Sequence, residues 1–183
     1  SNMKKMKRLV AVLLAGIMAL AMLTACGGTT GGTGSSGFED KVEQAYMAEL
    51  NNVFGKNFNN DADIKKLAVD CIKEVGGKET LSAEALWKVD APTATTQNQV
   101  MVCFDTNKST NTAYTKLYYE VDKAETITPD ATNIAALKIT WDTVQNMAVA
   151  AGKKVELTAL GVGAYTIGGK TYVAIGIGMK VVQ

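Results

Sequence analysis

The side chains of this sequence that could do acid–base chemistry are mainly carboxylates, because the chain of 183 residues contains no histidine. That absence excludes a Ser-His-Asp or Cys-His centre and a histidine-ligated metal, unless a partner supplies the imidazole. Glycosidases, in contrast, work with two acids about 5–10 Å apart. Solvated helix charges are the simpler interpretation, so we predict no catalytic residue and keep a carboxylate-dependent hydrolase as the alternative. The glutamates in question are Glu74, Glu79, Glu84 and Glu120.

Two ligand-binding motifs are present only in part. Residues 163–171 suggest a phosphate-binding loop, but the first glycine of that motif would fall at 164, which is Ala164. Residues 105–116 begin like a calcium loop, but Thr110 replaces its glycine and Lys116 its bidentate glutamate. We therefore predict no nucleotide, metal or cofactor. A net charge of +1 likewise predicts no binding to nucleic acid.

The first 37 residues have the pattern of an exported lipoprotein. Ser1 and Asn2 look like the remnant of an expression tag, and four cations then precede an apolar run at 9–22. Leu-Thr-Ala-Cys at 23–26 resembles the lipobox of bacterial lipoproteins, which implies lipid attachment at Cys26. The alternative is an uncleaved N-terminal helix that serves as the anchor. The predicted organisation is tag remnant 1–2, signal peptide 3–25, lipidated cysteine with tether 26–37, and one extracytoplasmic domain 38–183.

The glycine-rich segment 27–37 is predicted to be a flexible tether that spans about 18 Å. Removing the four leader cations from the 19 in the chain leaves 15 Lys+Arg against 18 Asp+Glu, so the processed protein is near −3. That charge predicts no broad electrostatic attraction to an anionic membrane. The lipid is then the predicted link to the cell membrane.

Apolar spacing predicts three helices in the domain. Apolar residues recur at helical intervals within 42–53. Apolar residues within 64–75 form a second helical stripe, which lies between a capping cluster at 59–63 and Gly76. The third helix begins at Pro129-Asp130 and ends at Gly152, with a break at 138–140 left open.

Strands are predicted at 99–105 and 115–121, with a long solvated hairpin loop between them. With Cys26 assigned to lipid, two cysteines remain. Cys71 and Cys103 are each predicted to lie on the apolar side of an element. The sequence leaves open whether they form a disulfide or stay free thiols.

Residues 158–180 predict a closing hairpin about Gly168-Gly169, a pair that favours a type I′ turn. If Ile167 pairs with Lys170, one face carries branched residues such as Val162 and Ile175. The other face consists mainly of glycine and alanine. Four glycines weaken a β-hairpin, so their presence indicates that another group packs closely against the strand backbone on this face.

Two explanations of the bare face compete. Either a helix packs closely on it, or it floors a groove for an extended ligand with tyrosines on the rim. On the second explanation the ligand-binding residues are Gly161, Gly163, Tyr165, Tyr172 and Gly176.

The element order predicts an α+β domain, an antiparallel sheet with helices on both faces and a closing C-terminal β-hairpin. Residues 42–75 resemble the opening helix pair of the CAP/SCP-like (cysteine-rich secretory, pathogenesis-related) family, and 160–163 with 172–175 resemble its terminal hairpin. The resemblance implies a three-layer α/β/α sandwich. The family's cavity histidines are absent and its signature segment is replaced at 150–153, so the resemblance implies no catalytic or metal site here.

The sequence therefore predicts a lipid-anchored, extracytoplasmic, non-enzymatic binding module of the bacterial cell envelope. Its predicted partners are the membrane, through the lipid, and an envelope protein, peptide or glycan. A cell-wall hydrolase and a structural subunit of a membrane complex are the alternatives.

Overall fold

Three α-helices and eight strands make up the part of the chain that the computed structural model describes, residues 37–110, 113–121 and 126–182. The predicted α+β class with antiparallel sheets is confirmed. The helices are α1 (Gly37–Phe54), α2 (Ala62–Val75) and α3 (Ala131–Ala150). The strands are β1 (Thr80–Ser82), β2 (Trp87–Asp90), β3 (Thr96–Val102), β4 (Phe104–Thr110), β5 (Ala113–Lys116), β6 (Tyr118–Glu120), β7 (Lys154–Ile167) and β8 (Lys170–Val182).

Local capping fixes both ends of α2, as the sequence predicted. The Asp61 side chain accepts hydrogen bonds from the backbone N–H of Asp63 at 3.0 Å and of Ile64 at 2.9 Å. At the other end Gly76 takes a φ of 37°, and its N–H donates to the Ile72 carbonyl at 3.1 Å.

Helix α3 runs without a break through 138–140. The Asp130 carboxylate caps it by accepting from the N–H of Asn133 at 2.9 Å. The hydroxyl of Thr140 donates to the carbonyl of Ala136 at 3.0 Å, so this polar group is satisfied inside the helix.

Strand β8 is the central strand of the five-stranded main sheet. Strand β7 pairs along one edge of it, while β3 and β6 pair with successive parts of the other edge, and β2 lies outside β3. The β7–β8 ladder begins with Ile167 opposite Lys170 and continues to Lys154 opposite Val182, with an irregularity between 157 and 159. Gly168 and Gly169 at the turn have φ of 57° and 75°, values that a type I′ turn requires.

The prediction of a long loop between the two strands is wrong. Residues 104–110 and 113–116 pair as β4 and β5 in a separate small sheet with β1. The chain leaves the main sheet at Cys103, whose N–H donates to Val173, and returns at Leu117, whose N–H donates to Cys103. Polar, threonine-rich residues form this strand because pairing with β5 satisfies their backbone groups, which composition alone does not reveal.

The apolar core has two clusters. One joins α1 and α3 to the branched residues of β7 and β8, including Val162 and Ile175. The other joins α2 to Val100, Val102 and Ala174 of the main sheet. Each fully buried aliphatic side chain contributes about 1.5–3 kcal/mol, so both clusters stabilise the sheet.

The two cysteines are free thiols, which decides the alternative that the sequence left open. Cys71 lies in the cluster under α2 and Cys103 in the cluster under α1 and α3. Burial raises the pKa of the Cys71 thiol to about 11 and that of Cys103 well above its ordinary value. Both thiols therefore serve as small apolar side chains.

Candidate binding surfaces

Helix α2 covers the glycine-rich face of the β7–β8 hairpin. Gly161 pairs with Gly176, and both residues are buried. A β-carbon on Gly161 would lie 2.5 Å from Cβ of Ile64, and one on Gly163 would lie 2.8 Å from the Lys65 carbonyl oxygen. Atoms cannot approach so closely, so glycine at these positions is what lets α2 reach the sheet.

The prediction that Gly161, Gly163 and Gly176 floor a ligand groove is therefore wrong, because α2 occupies that space. A strand face without side chains predicts that something packs closely on it. The sequence does not say whether that is a helix or a ligand, because either could approach the backbone only where β-carbons are absent. Only the tertiary contacts distinguish them, and they support close helix packing.

The two predicted rim tyrosines belong to a row across three strands. Tyr165 lies opposite Tyr172, which lies opposite Tyr118. Tyr172 is only 2% exposed, so it is not a rim residue, while Tyr165 is half-buried. Nζ of Lys73 lies 4.9 Å from the Tyr165 ring centroid, and Nζ of Lys170 lies 4.6 Å from that of Tyr118. The lysines thus cover ring faces that a stacked ligand would need.

Lys116 is a buried cation at the carboxyl end of α2. Its Nζ donates to the Gly76 carbonyl at 2.9 Å and lies 4.2 Å from the Tyr172 ring centroid. Burial lowers the pKa of this lysine, while the nearby Glu79 carboxylate acts in the opposite direction. Its contacts are those of a helix-capping residue.

Hydrogen bonds from side chains and from one backbone N–H seal part of the outer edge of β7. Oδ1 of Asn60 accepts from the Val162 N–H at 2.8 Å, and Nδ2 of Asn60 donates to the Val162 carbonyl at 2.9 Å. The N–H of Asp61 donates to the Leu160 carbonyl at 3.1 Å. The amide of Asn60 therefore takes the place of a neighbouring strand.

Two glutamates of α1 continue this seal. Oε1 of Glu43 accepts from the Ala164 N–H at 3.1 Å, and Oε2 of the same carboxylate pairs with Lys65 at 2.8 Å. Oε1 of Glu39 accepts from the Thr166 N–H at 3.0 Å. This role of the glutamates was not predicted. The available signal in the sequence was Glu43, which interrupts the apolar stripe of α1.

The same contacts define two ends of the domain. At one end, Glu39 in the first turn of α1 accepts a hydrogen bond from Thr166, beside the β7–β8 turn. Helix α1 then runs back along β7 and ends at Phe54, near the start of β7. We call this opposite end the distal end.

A cleft of about 530 Å³ opens at the distal end. It lies between the end of α1, the middle of α3 and the first part of β7. Aromatic and aliphatic groups share its wall with ammonium groups, a carboxamide and the carboxylate of Glu156, which lies 3.6 Å from Nζ of Lys154. The residues that line this distal cleft are Phe54, Lys56, Lys138, Trp141, Gln145, Lys154, Val155, Glu156 and Leu157.

The loop that carries Lys56 is held rigidly by Asn51. The Asn51 side chain donates to the Phe58 carbonyl and accepts from the Phe58 N–H, each at 2.9 Å. The N–H of Lys56 itself donates to the Asn51 carbonyl at 2.9 Å. The backbone position of Lys56 is therefore set before any ligand arrives.

A partly buried chain of hydroxyl groups attaches the start of α3 to α1 and β6. The Asp130 N–H donates to the Tyr46 hydroxyl at 3.1 Å, and the Tyr46 and Tyr119 hydroxyls are 2.6 Å apart. The Tyr119 hydroxyl donates to the Thr128 carbonyl at 3.0 Å. Burial raises the pKa of Tyr46 far above its ordinary value and also raises that of Tyr119. These neutral phenols hold the start of α3.

The four candidate catalytic glutamates lie on the surface. Glu74, Glu79, Glu84 and Glu120 are all exposed. Glu74 pairs with Lys88, and Glu79 lies 3.6 Å from Lys170. Exposed carboxylates beside lysines are the arrangement of surface ion pairs.

Lipidation at Cys26 lies outside the described residues, as do the signal peptide and most of the tether. Within the described ranges, no helix has both the length and the hydrophobicity for crossing a membrane. Over the same ranges no group of acidic or cysteine side chains is arranged to hold a metal ion.

No family model, no curated protein and no solved structure matches this chain significantly. The candidate surface therefore depends on geometry alone.

Proposed function

We propose that this protein is a lipid-anchored, extracytoplasmic binding module of the bacterial cell envelope that holds its ligand without transforming it. The leader pattern, Cys26 and the glycine-rich tether support the anchoring. The ligand surface that we propose is the distal cleft, which replaces the glycine face considered from the sequence.

The position of the distal cleft carries this proposal. The tether joins the domain at Gly37, the first residue of α1, and the cleft begins at Phe54, the last residue of that helix. Eighteen helical residues span about 27 Å. A lipid on Cys26 would therefore attach the domain at the end opposite the cleft, which leaves the cleft accessible to other components of the envelope.

The arrangement of the helices supports the three-layer α/β/α sandwich as part of this proposal. Helix α2 packs against the glycine-rich face of the main sheet, and α1 and α3 pack with the branched residues of the opposite face. We also propose the CAP/SCP-like relationship for the fold alone, without that family's cavity chemistry.

No observation favours the two alternative functions. A cell-wall hydrolase would need two acids facing each other across a cleft, and all four candidate glutamates are exposed on the surface. A purely structural subunit would give no reason for a preorganised lysine beside an open cleft.

The anchoring is tested with Cys26→Ser in the producing bacterium. We expect the unaltered protein to incorporate labelled palmitate and to sediment with membranes. We expect the variant to lose the label and to appear in the soluble extracytoplasmic fraction. A variant that keeps the label would contradict lipid attachment at this cysteine.

The binding function is tested by co-sedimentation of the processed protein with purified cell-wall sacculi. We expect wild-type protein to co-sediment, and Lys56→Met combined with Lys138→Met to weaken retention at least fivefold. Lys41→Met, an exposed lysine of α1 remote from the cleft, is the matched control. Release of soluble wall fragments would instead identify a hydrolase.

A further inference from the structure

The outer edge of β7 changes character along its length. From Leu160 to Thr166 five of its outward backbone groups are hydrogen-bonded to Asp61, Asn60, Glu43 and Glu39. They are the carbonyl of Leu160, the N–H and carbonyl of Val162, and the N–H groups of Ala164 and Thr166. No such contact extends to 154–158 among the described residues. Half of this edge is therefore closed to another strand. The half that lines the distal cleft carries no such hydrogen bonds, and the Val155 side chain there is only 5% exposed because it packs in the core.

The irregularity in the β7–β8 ladder decides which groups are open. One extra residue at 158 shifts the alternation, since Ala159 pairs with Gly178 but Leu157 pairs with Met179. The backbone groups of Val155 and Leu157 then point away from β8. Within residues 37–110, 113–121 and 126–182 these outward groups have no hydrogen-bond partner. They form a short template for an added strand.

The cleft that this template borders also carries positive charge. Nζ of Lys138 lies 2.5 Å from Oδ1 of Asp142 and 5.9 Å from the Phe54 ring centroid. Lys56 has no carboxylate partner among the described residues, and its Nζ lies 5.9 Å from the Phe58 ring centroid. An unpaired ammonium group on a rigid loop favours a carboxylate ligand.

We infer that the distal cleft binds an extended peptide, which adds as a strand to β7 at Val155 and Leu157 and places its C-terminal carboxylate at Lys56. This inference rests on the proposed function and names the ligand class. Backbone hydrogen bonds supply the affinity, as in other cases of strand addition, and the half-buried Phe54 and Leu157 receive alternate side chains. The sealed half of the edge limits the peptide to about three or four residues of pairing.

The experiment measures fluorescence anisotropy of the processed protein with Cys26→Ser and three labelled five-residue peptides of alternating threonine and valine. The first has a free C-terminal carboxylate, the second a C-terminal amide, and the third N-methyl groups on alternate backbone nitrogens. We expect the free acid to bind, the amide to bind about tenfold more weakly, and the N-methylated peptide to lose binding. Lys56→Met should remove the preference for the acid, and Lys41→Met should keep it.

Three results would overturn the inference. They are equal binding of the N-methylated and unmodified peptides, an acid preference that survives Lys56→Met, or no binding of any peptide at millimolar concentration. Dimerisation of the protein through this edge would identify a second copy as the occupant instead. Sacculus binding that persists in any of these cases would leave the proposed function standing with another ligand class.

Discussion

Two glutamines of β3 are buried where their polar groups have no partner. Gln97 is 2% exposed and Gln99 is fully buried. Oε1 of Gln97 and both polar atoms of the Gln99 side chain lack a hydrogen bond among the described residues. A buried amide without a partner costs about 1–3 kcal/mol, so these residues lower the stability of the fold.

Replacing Gln99 by methionine should stabilise the protein. The change keeps the length of the side chain and removes two unsatisfied polar atoms, so the free energy of unfolding should rise by about 1 kcal/mol. Urea denaturation measures it. Asn133→Leu is the contrasting variant, because its buried side chain donates to the Phe104 carbonyl at 2.8 Å, and it should lose about 2 kcal/mol. A destabilised Gln99→Met variant would contradict the account.

The buried phenols and thiols make stability depend on alkaline pH. The pKa values of Tyr46, Tyr119 and Cys71 are raised in the folded protein, chiefly by burial. The unfolded chain therefore releases protons first, at pH values near 9 for cysteine and 10 for tyrosine. Stability from these groups is fully present below pH 9 and falls as the pH rises, by up to about 1.4 kcal/mol per pH unit for each group.

Urea titrations at pH 7, 9 and 10.5 test this dependence. We expect Tyr46→Phe to be less stable at pH 7, because it loses the hydroxyl chain to Asp130 and Tyr119, but to decline less steeply with pH. Parallel pH curves for the variant and the wild type would contradict the assignment.

At the scale of elements, the packing of α2 on β7 depends on a missing side chain. A β-carbon on Gly163 would lie 2.8 Å from the Lys65 carbonyl and 2.8 Å from Cβ of Ala68. Gly163→Ala should therefore destabilise the protein by about 1–3 kcal/mol, through displacement of α2. Gly77→Ala is the matched control, because a β-carbon there meets nothing within 4 Å. Equal thermal midpoints for the two variants would contradict this prediction, because they would show that α2 can shift without a loss of stability.

The sealed half of the β7 edge should keep the protein monomeric. Asn60→Ala removes both hydrogen bonds to Val162 and should lower the free energy of unfolding by about 2 kcal/mol. It also exposes backbone groups, so concentration-dependent association should appear in analytical ultracentrifugation. The exposed Asn59, which has no such contact, serves as the Asn59→Ala control. A stable, monomeric Asn60→Ala protein would refute the sealing role.

Elements with local signals were predictable, and elements without them were not. The caps at Asp61 and Gly76 and the apolar stripe between them indicate α2 from neighbouring residues alone. Strand β4 has no such signal, because its polar residues become a strand only through pairing with β5. The distal cleft was equally hidden, since it combines the end of α1, the middle of α3 and the start of β7.

At the scale of the whole molecule, the tether attachment predicts an orientation on the membrane. With the protein lipidated and reconstituted in vesicles, a fluorophore on Lys170→Cys should be quenched by lipids that carry a headgroup quencher. One on Lys56→Cys should be quenched much less, because α1 separates the two ends by about 27 Å. The buried native thiols should stay unlabelled in the folded protein. Equal quenching at both positions would contradict the orientation.

The sequence alone determined the three helices, the α+β class and the two-faced closing hairpin, because capping, apolar spacing and turn chemistry act between near neighbours in the chain. The tertiary structure decided what lies on the bare hairpin face, which half of the β7 edge is closed and where a cleft remains. Those features depend on contacts between residues such as Asn60 and Val162, about a hundred positions apart. Local sequence patterns do not specify which distant residue packs against a given surface in the folded protein.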